Sequence, residues 1–266
     1  MESNTTSPRI SAVIVTYQSD LNALKRAVDS LRSCTLPIEI LLVDNNSGAD
    51  YRGDLGRAFS DIRIIDSGLN KGFGAGHNLG FALREQPSDY HLVVNPDVII
   101  PLGAIEEMVQ FMGTRHKVGL ATPKIVNEQG EMQYLCKRKP SIAALFGRRF
   151  LPAKLADMLL KGVMDHYIMR DKNYEKIIEP DFLSGCFMVF RSDIFQALEG
   201  FDERFFLYFE DADITMRAKA ISQAVYFPGV TITHAWQGGA RNSRALTKIM
   251  LISAYQFFRK WGIKWW

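Results

Sequence analysis

The stretch ISAVIVTYQSDLNALKRAVDSLRSCTLPIEILLVDNNS, residues 10–47, forms one strand–helix–strand pattern. Residues 10–17 and 38–47 are runs of β-branched and aliphatic side chains, and the second run ends in polar residues. Such runs are typical of strands that are buried on both faces of a parallel sheet. Residues 20–34, between them, carry apolar side chains at helical spacing. A helix connecting two buried strands predicts a parallel pair with the helix packed on the sheet.

The same alternation continues beyond this unit. Strands are predicted at 61–68 and 90–98, and helices at 74–85 and 102–114. This order predicts an α/β fold with a Rossmann-like, mainly parallel central sheet flanked by helices. The second half of the chain is less regular, and it ends in an amphipathic helix at 246–266 that is rich in aromatic and basic residues.

The composition is that of an ordinary globular protein. The chain has 266 residues, of which 47% are apolar and 23% charged, enough for one large α/β domain or two small ones. A net charge of +3 gives no reason to expect a nucleic-acid partner. Three widely spaced cysteines predict reduced thiols and a cytoplasmic location. No signal-peptide pattern and no apolar run of about 18 residues is found, so we expect neither a leader nor a spanning helix.

Polar residues follow three of the predicted strands at the point where each strand ends. They are Thr16 with Tyr17, Asp44 with two asparagines, and Asn95 with Asp97 on either side of a proline. Turn formation explains any one of these clusters. Three clusters at one edge favour a ligand site, because open α/β sheets bind ligands at the carboxyl ends of their strands.

The segment NKGFGAGHNLG, residues 70–80, is rich in glycine and precedes a predicted helix. Glycines let backbone N–H groups approach a phosphate, and a helix N-terminus favours anions. A surface turn explains the segment equally well. It is not the fingerprint of a nicotinamide dehydrogenase, which follows the first strand in another register. A nucleotidyltransferase would need a glycine-rich, basic loop at that place, and the sequence there is TYQSD.

Three acidic residues stand at the start of a predicted helix in YFEDADI, namely Glu210, Asp211 and Asp213. Acidic side chains complement the dipole of a first helical turn. The preceding FFLYF is apolar, and an apolar setting raises the pKa of a carboxyl toward that of a useful general base. The residues alone leave both interpretations open.

His234 ends an apolar strand, and a single histidine is most simply structural. As a metal ligand it would need an oxygen donor, for which Asp97 is the candidate. Such a pair favours Mg²⁺ or Mn²⁺ over zinc. Arg241 and Arg244 follow on a loop that begins with glycines. Because the guanidinium fork matches phosphate oxygens, they are candidates for closing over a diphosphate.

Taken together, seven segments resemble family 2 glycosyltransferases of the GT-A fold. In chain order they are VIVTYQ, LLVDNNS, NKGFGAGHNLG, VVNPDV, SGCFMVFR, GFDERFFLYFEDADI and ITHAWQGG. Within that family they look most like bacterial rhamnosyltransferases that build O-antigen or cell-wall glycans. The resemblance extends from Ile10 to Gly239, and it implies an inverting transfer from a nucleotide-diphosphate sugar.

The resemblance also implies how the donor is held. Its base and ribose would contact Thr16, Tyr17 and Asp44. The remaining donor-site residues would be Asn70, Lys71, Gly72, Asn78, Asn95, Arg241 and Arg244. Asn95 stands where the family commonly has the first acid of Asp-x-Asp, which removes one negative charge, and the rhamnosyltransferase subgroup shares this difference.

The catalytic roles follow in the same way. Asp97 with His234 would bind Mg²⁺ or Mn²⁺ at the donor's diphosphate. Asp211 would be the general base that deprotonates the acceptor hydroxyl. Glu210 would orient the acceptor or its loop.

The favoured reaction moves L-rhamnose from dTDP-rhamnose onto an undecaprenyl-diphosphate saccharide. A UDP-sugar donor carrying galactofuranose or N-acetylglucosamine is an alternative, and so is a non-catalytic nucleotide-binding assembly protein. Residues 1–240 would form the GT-A domain, with a nucleotide-binding part at about 9–125 and an acceptor-binding part at about 126–240.

Residues 241–266 would form a separate C-terminal helix. FFRKWGIKWW at its end, and KRKPSIAALFGRRFLPAKLADMLLKG at 137–162, combine basic residues with aromatic or apolar ones. This composition is typical of an interfacial membrane anchor, and the alternative is a helix packed on the core. We expect peripheral attachment to the cytoplasmic face of the inner membrane.

Overall fold

A computed structural model describes residues 7–145, 153–235 and 244–265. The strands are β1 (Ile10–Thr16), β2 (Ile38–Asp44), β3 (Arg63–Asp66), β4 (Tyr90–Val94), β5 (Val98–Ile99), β6 (Val118–Val126), β7 (Phe187–Arg191) and β8 (Gln223–His234). The helices are α1 (Leu21–Arg32), α2 (Ala49–Ala58), α3 (Phe73–Ala82), α4 (Ala104–Gly113), α5 (Ala153–Tyr167), α6 (Ser192–Ala197), α7 (Glu210–Ile221) and α8 (Arg244–Trp261). The strands form one sheet in the order β3-β2-β1-β4-β7-β6-β8-β5.

The first half of the chain forms the parallel part of the sheet. β1 lies between β2 and β4 and is parallel to both, and β3 is parallel to β2. The register pairs Thr16 with Asp44, and Asp44 with Asp66, so the carboxyl ends of β1, β2 and β3 are level. The strand–helix–strand order predicted from residues 10–47 is confirmed.

The second half adds antiparallel strands. β7 is antiparallel to both β4 and β6, β8 is parallel to β6, and the short β5 is antiparallel to β8. In the described part of the chain four of these seven pairings are parallel, which agrees with a mainly parallel α/β sheet. The β5–β8 pairing aligns Val98 with His234 and so brings the preceding Asp97 beside that histidine.

Local signals explain where the helices pack. α1 begins after Asp20, whose carboxylate accepts the backbone N–H of Ala23 at 2.7 Å. Such a cap contributes about 1 kcal/mol. α3 lies close to β1 because it presents glycines to that strand. A Cβ atom on Gly76 would lie 2.8 Å from a methyl group of Val15. Gly76 of segment 70–80 therefore allows α3 to lie close to the sheet.

The C-terminal helix α8 packs against the body of the protein. Phe257 is fully buried and joins a cluster that includes Phe205 and Phe209. The indole N–H of Trp261 donates to Asp213 at 2.8 Å, which ties α8 to α7. The described part of this segment therefore shows the packed alternative for one face of α8, while the division into domains stays a prediction. Among the described residues, no helix has the length and apolar character needed to cross a membrane.

Candidate active site

The level carboxyl ends of β1 and β2 bring Thr16 and Asp44 together, and both side chains are buried. The Thr16 hydroxyl lies 2.8 Å from the Tyr51 hydroxyl. The Asp44 carboxylate accepts Nε of Arg52 at 3.1 Å and the backbone N–H of Ser47 at 3.0 Å. Asp44 therefore has its charge balanced in place, and it keeps further acceptor capacity for a ligand N–H.

Tyr51 and Arg52 lie on α2, a helix that the sequence did not predict. Leu55 is its only fully buried residue, so the helical periodicity is weak. One signal was available: a buried aspartate needs a cation, and Arg52 is the first basic residue after Asp44. Arg52 also contacts Asp66 at the end of β3, at 2.5 Å.

Tyr17 follows β1 and is 55% exposed, so its ring is open to a ligand at the sheet edge.

The turn at Asn70, Lys71 and Gly72 is held from two sides. The Asn70 side chain accepts the backbone N–H of Gly72 at 3.0 Å, and the Asn45 amide donates to the Gly72 carbonyl at 2.9 Å. On the other side, a Cβ atom on Gly72 would lie 2.0 Å from the carbonyl oxygen of Phe206. Only glycine fits this close approach, and the side chain of Lys71 is left exposed.

Asn78 holds the loop that leads to the acidic cluster. Its amide donates to the carbonyl oxygen of Phe201 and accepts the N–H of the same residue, both at 2.8 Å. Asn78 and Lys71 also line a cavity of about 320 Å³ beside α3, together with Asn45 and Glu203. Asn45 faces α3 and Asp44 faces α2, because successive strand residues point to opposite faces of a sheet.

Asp97 and His234 face each other across the β5–β8 pair. Nε2 of His234 lies 3.4 Å from a carboxylate oxygen of Asp97, is buried, and has no hydrogen-bond partner. The Asp97 side chain is 24% exposed, so the pair is open to solvent on that side. An oxygen and an unpartnered imidazole nitrogen fit a divalent cation such as Mg²⁺ or Mn²⁺. No cluster of three potential ligands (His, Cys, Asp or Glu) occurs among the described residues.

Glu210 and Asp211 begin α7, after a left-handed turn at Tyr208 and Phe209. Asp211 accepts the backbone N–H of Gly185 at 3.1 Å and that of Ala212 at 2.9 Å. Burial raises the pKa of the Asp211 carboxyl, although these contacts and nearby Lys137 act in the opposite direction. Asp211 is still partly exposed, which a general base requires.

Glu210 is more enclosed. It is 5% exposed and has one buried carboxyl oxygen without a hydrogen-bond partner. Burial first, and then the neighbouring Asp211 charge, raise the pKa of Glu210 well above its usual range. Both features expected of the acidic motif are therefore present. The acids lie in the first turn of a helix, and burial raises the pKa of Glu210 and of Asp211.

The segment 184–186 connects Asp211 to Asn95, which lies two residues before Asp97. Gly185 bonds Asp211, and the carbonyl of Cys186 accepts the N–H of Asn95 at 2.8 Å. Burial raises the pKa of the Cys186 thiol to about 12, with smaller contributions from Asp97 and Asp211. Both carboxylates thus lie around one cysteine, at one edge of the sheet.

Of the two predicted arginines, only Arg244 belongs to the part of the chain that the structure describes. Arg244 is the first residue of α8, and its side chain is exposed. Arg241 and residues 236–239 of the ITHAWQGG motif lie outside the described residues. A donor-phosphate role for both arginines stays a prediction.

The mixed sheet flanked by helices is that of glycosyltransferases of the GT-A fold. Two solved structures share the fold. A mannosyltransferase from Pyrobaculum calidifontis with GDP-Man and Mn²⁺ has a TM-score of 0.61 at 14% identity, over 96% of this chain and 64% of that one. GalNAc-T7 with UDP, GalNAc and Mn²⁺ has a TM-score of 0.66 at 13% identity, over 97% of this chain and 49% of that one. This chain thus spans less than two thirds of each.

Residues 11–198 match the model of glycosyl transferase family 2, and the chain belongs to that family. It is 27% identical to N-acetylglucosaminyl-diphospho-decaprenol L-rhamnosyltransferase of Mycobacterium tuberculosis, over 84% of this chain and 74% of that protein. It is 21% identical to rhamnosyltransferase WbbL of Escherichia coli K12, over 77% of this chain and 75% of that protein. The family predicted from seven sequence segments is confirmed, as is the likeness to rhamnosyltransferases.

Proposed function

We propose that this protein transfers L-rhamnose from dTDP-rhamnose, with inversion, to a saccharide carried on undecaprenyl diphosphate. The family membership establishes a glycosyltransferase, and the rhamnosyltransferases among its relatives support the sugar. The relative from M. tuberculosis is named for a polyprenyl-diphosphate acceptor, which supports the acceptor class. The observation that carries the chemistry is Asp211, a partly exposed base beside the Asp97–His234 pair.

In the proposed step, Asp211 takes the proton from an acceptor hydroxyl as that oxygen attacks C1 of the donor sugar. The C1–oxygen bond to the nucleotide diphosphate breaks on the opposite side, and the diphosphate leaves with the bonding pair. A divalent cation held by Asp97 and His234 would neutralise the charge that develops on that diphosphate. Glu210, behind Asp211, would support the acceptor loop.

The donor base would lie at the ends of β1 and β2. Asp44 can accept the ring N–H of thymine or uracil, and Arg52 holds the carboxylate for this purpose. Tyr17 is free to pack on the base. The turn at Asn70 and Gly72 would border the nucleotide, with Lys71 available to its phosphates.

We place the reaction at the cytoplasmic face of the inner membrane, with α8 as the contacting element. Lys248, Ile252, Tyr255 and Arg259 are exposed at spacings of four, three and four residues, so they form one stripe on its outer face. Apolar and basic residues on one exposed face suit an anionic lipid surface. Trp265 extends the exposed apolar set.

The transferase proposal is tested with a synthetic polyprenyl-diphosphate GlcNAc acceptor and three donors: dTDP-rhamnose, UDP-galactofuranose and UDP-GlcNAc. We expect product with dTDP-rhamnose, and a loss of about 10²–10⁴-fold in kcat for Asp211→Asn. Asp193→Asn is the matched control, since Asp193 is an exposed acid in the first turn of α6. Product only with a UDP-sugar would change the donor, and nucleotide binding without product would support an assembly protein.

The membrane proposal is tested by flotation with phosphatidylglycerol-containing vesicles. Ile252→Ser with Arg259→Ser should release the protein, because both side chains lie on the exposed stripe. Leu102→Ser with Lys25→Ser is the matched control, because it also removes one exposed apolar and one exposed basic side chain, but away from α8. Binding that is unaffected by the α8 pair would show that another surface contacts lipid.

A further inference from the structure

Gln133 makes two contacts with His234 that the roles assigned so far do not explain. Its amide nitrogen donates to the carbonyl oxygen of His234 at 2.9 Å, and its amide oxygen lies 3.1 Å from Nδ1 of the same residue. Gln133 follows β6, and its own N–H donates to the carbonyl of Ile125 at 2.9 Å. Its backbone is therefore held by β6, and its side chain by the end of β8, the strand that carries His234.

These contacts determine which ring nitrogen carries hydrogen. Since the Gln133 amide nitrogen is used on the carbonyl, its oxygen faces Nδ1, and an amide oxygen only accepts. Nδ1 must then be the donor, and the neutral ring has its lone pair on Nε2. That nitrogen is the buried one without a partner, 3.4 Å from the Asp97 carboxylate.

In the neutral ring two electron-pair donors thus face each other at this distance, which is the arrangement of two ligands of one cation. A metal-binding histidine commonly donates its other ring N–H to an oxygen acceptor, which fixes the tautomer and the ring orientation. We infer that Gln133 is a positioning residue of the cation site: it fixes hydrogen on Nδ1 of His234 and aims Nε2, together with Asp97, at one divalent cation. The inference rests on the proposed function for the cation site and for the nucleotide that accompanies the cation.

Three variants isolate this role. Gln133→Met removes both contacts at similar size, and Gln133→Glu keeps an acceptor for Nδ1 while losing the donor to the carbonyl. Gln129→Met is the matched control, because Gln129 is exposed in the same connection after β6. Mn²⁺ binding is measured by electron paramagnetic resonance with dTDP and, separately, with UDP. We expect Gln133→Met to weaken binding about 10- to 100-fold and the other two to stay near wild type. Equal affinity in the two Met variants would overturn the inference.

A second readout needs no metal and no substrate. Long-range ¹H–¹⁵N spectra of protein labelled at its five histidines report the tautomer of each ring, and His234→Gln identifies the signal of interest. We expect hydrogen on Nδ1 in the wild type and in Gln133→Glu, and a population with hydrogen on Nε2 in Gln133→Met. Hydrogen on Nε2 in the wild type would overturn the inference. Failure of rhamnosyl transfer would appear separately in the donor assay and leave both readouts valid.

Discussion

Replacing Phe257 with alanine tests whether α8 belongs to the folded core. The ring is fully buried, lies 5.3 Å from that of Phe209, and shares a cluster with Phe182 and Phe205. Truncating a buried phenylalanine costs about 3–5 kcal/mol, from lost transfer free energy and from the cavity left behind. At about 2–4 °C per kcal/mol for chains near this size, Tm should fall by roughly 6–20 °C.

Tyr255→Ala is the matched control, an aromatic truncation two residues earlier in the same helix. Tyr255 is 67% exposed, so we expect a change within about 0.5 kcal/mol. Urea unfolding followed by tryptophan fluorescence reports on α8 directly, since Trp261 is at its end. If Phe257→Ala unfolds like the control, α8 is a separable tail and the packing argument is refuted.

Three further predictions concern other parts of the protein. Gly72→Ala should lower Tm more than Gly130→Ala. Both glycines have positive φ, but only at Gly72 would the new Cβ meet a backbone oxygen, that of Phe206. Equal losses of Tm would mean that the loop at Phe206 moves aside at no cost. His77 is buried and its pKa is lowered to about 3, so the unfolded chain binds the proton first and stability falls as the pH drops below about 6.5. In His77→Leu the free energy of unfolding should fall less steeply between pH 6 and pH 4, by about 1.4 kcal/mol per pH unit. If the wild type and the variant lose stability at the same rate in acid titrations, the prediction is wrong. Asp97→Ala should abolish the Mn²⁺-dependent part of the stabilisation by dTDP. For ligand at 100 times its Kd the whole stabilisation is about 2.7 kcal/mol, which scanning fluorimetry detects as a rise in Tm. A metal-dependent rise in Tm that persists in the variant would rule out Asp97 as a ligand.

Strands β1 to β4 and the first, third and fourth helices could be predicted because their signals are local, whereas β6 was not predicted. Buried parallel strands need apolar side chains on both faces, and residues 10–17 show this without reference to the rest of the chain. α2 lacked such a signal, because it buries one residue and contributes mainly polar contacts. Arg52 was missed with it, although Asp44 at the neighbouring strand end was found.

The position of Asp211 in the first turn of a helix could be predicted from the local motif, while its role as a base stays a prediction. The site could not be predicted where the chemistry depends on a contact between distant segments. Gln133 lies 101 positions from His234, and nothing in the residues around either one indicates the pair. The packing of Trp261 on Asp213 is hidden for the same reason, so the C-terminal helix was predicted to be a separate segment.

The first turn of α7 gives three acidic side chains different surroundings within four residues. Glu210 is enclosed, and its raised pKa favours the protonated form, which can donate a hydrogen bond toward the acceptor loop. Asp211 has two backbone N–H partners and access to solvent, so it can both lose and accept a proton. Asp213 is fully buried and bonds Lys260 and Trp261 of α8 at 2.7 and 2.8 Å. Because this third acid is held by α8, the C-terminal segment helps to position the helix that carries Asp211. If Asp211 is the proposed base, removing that segment should lower transferase activity whether or not α8 contacts a membrane.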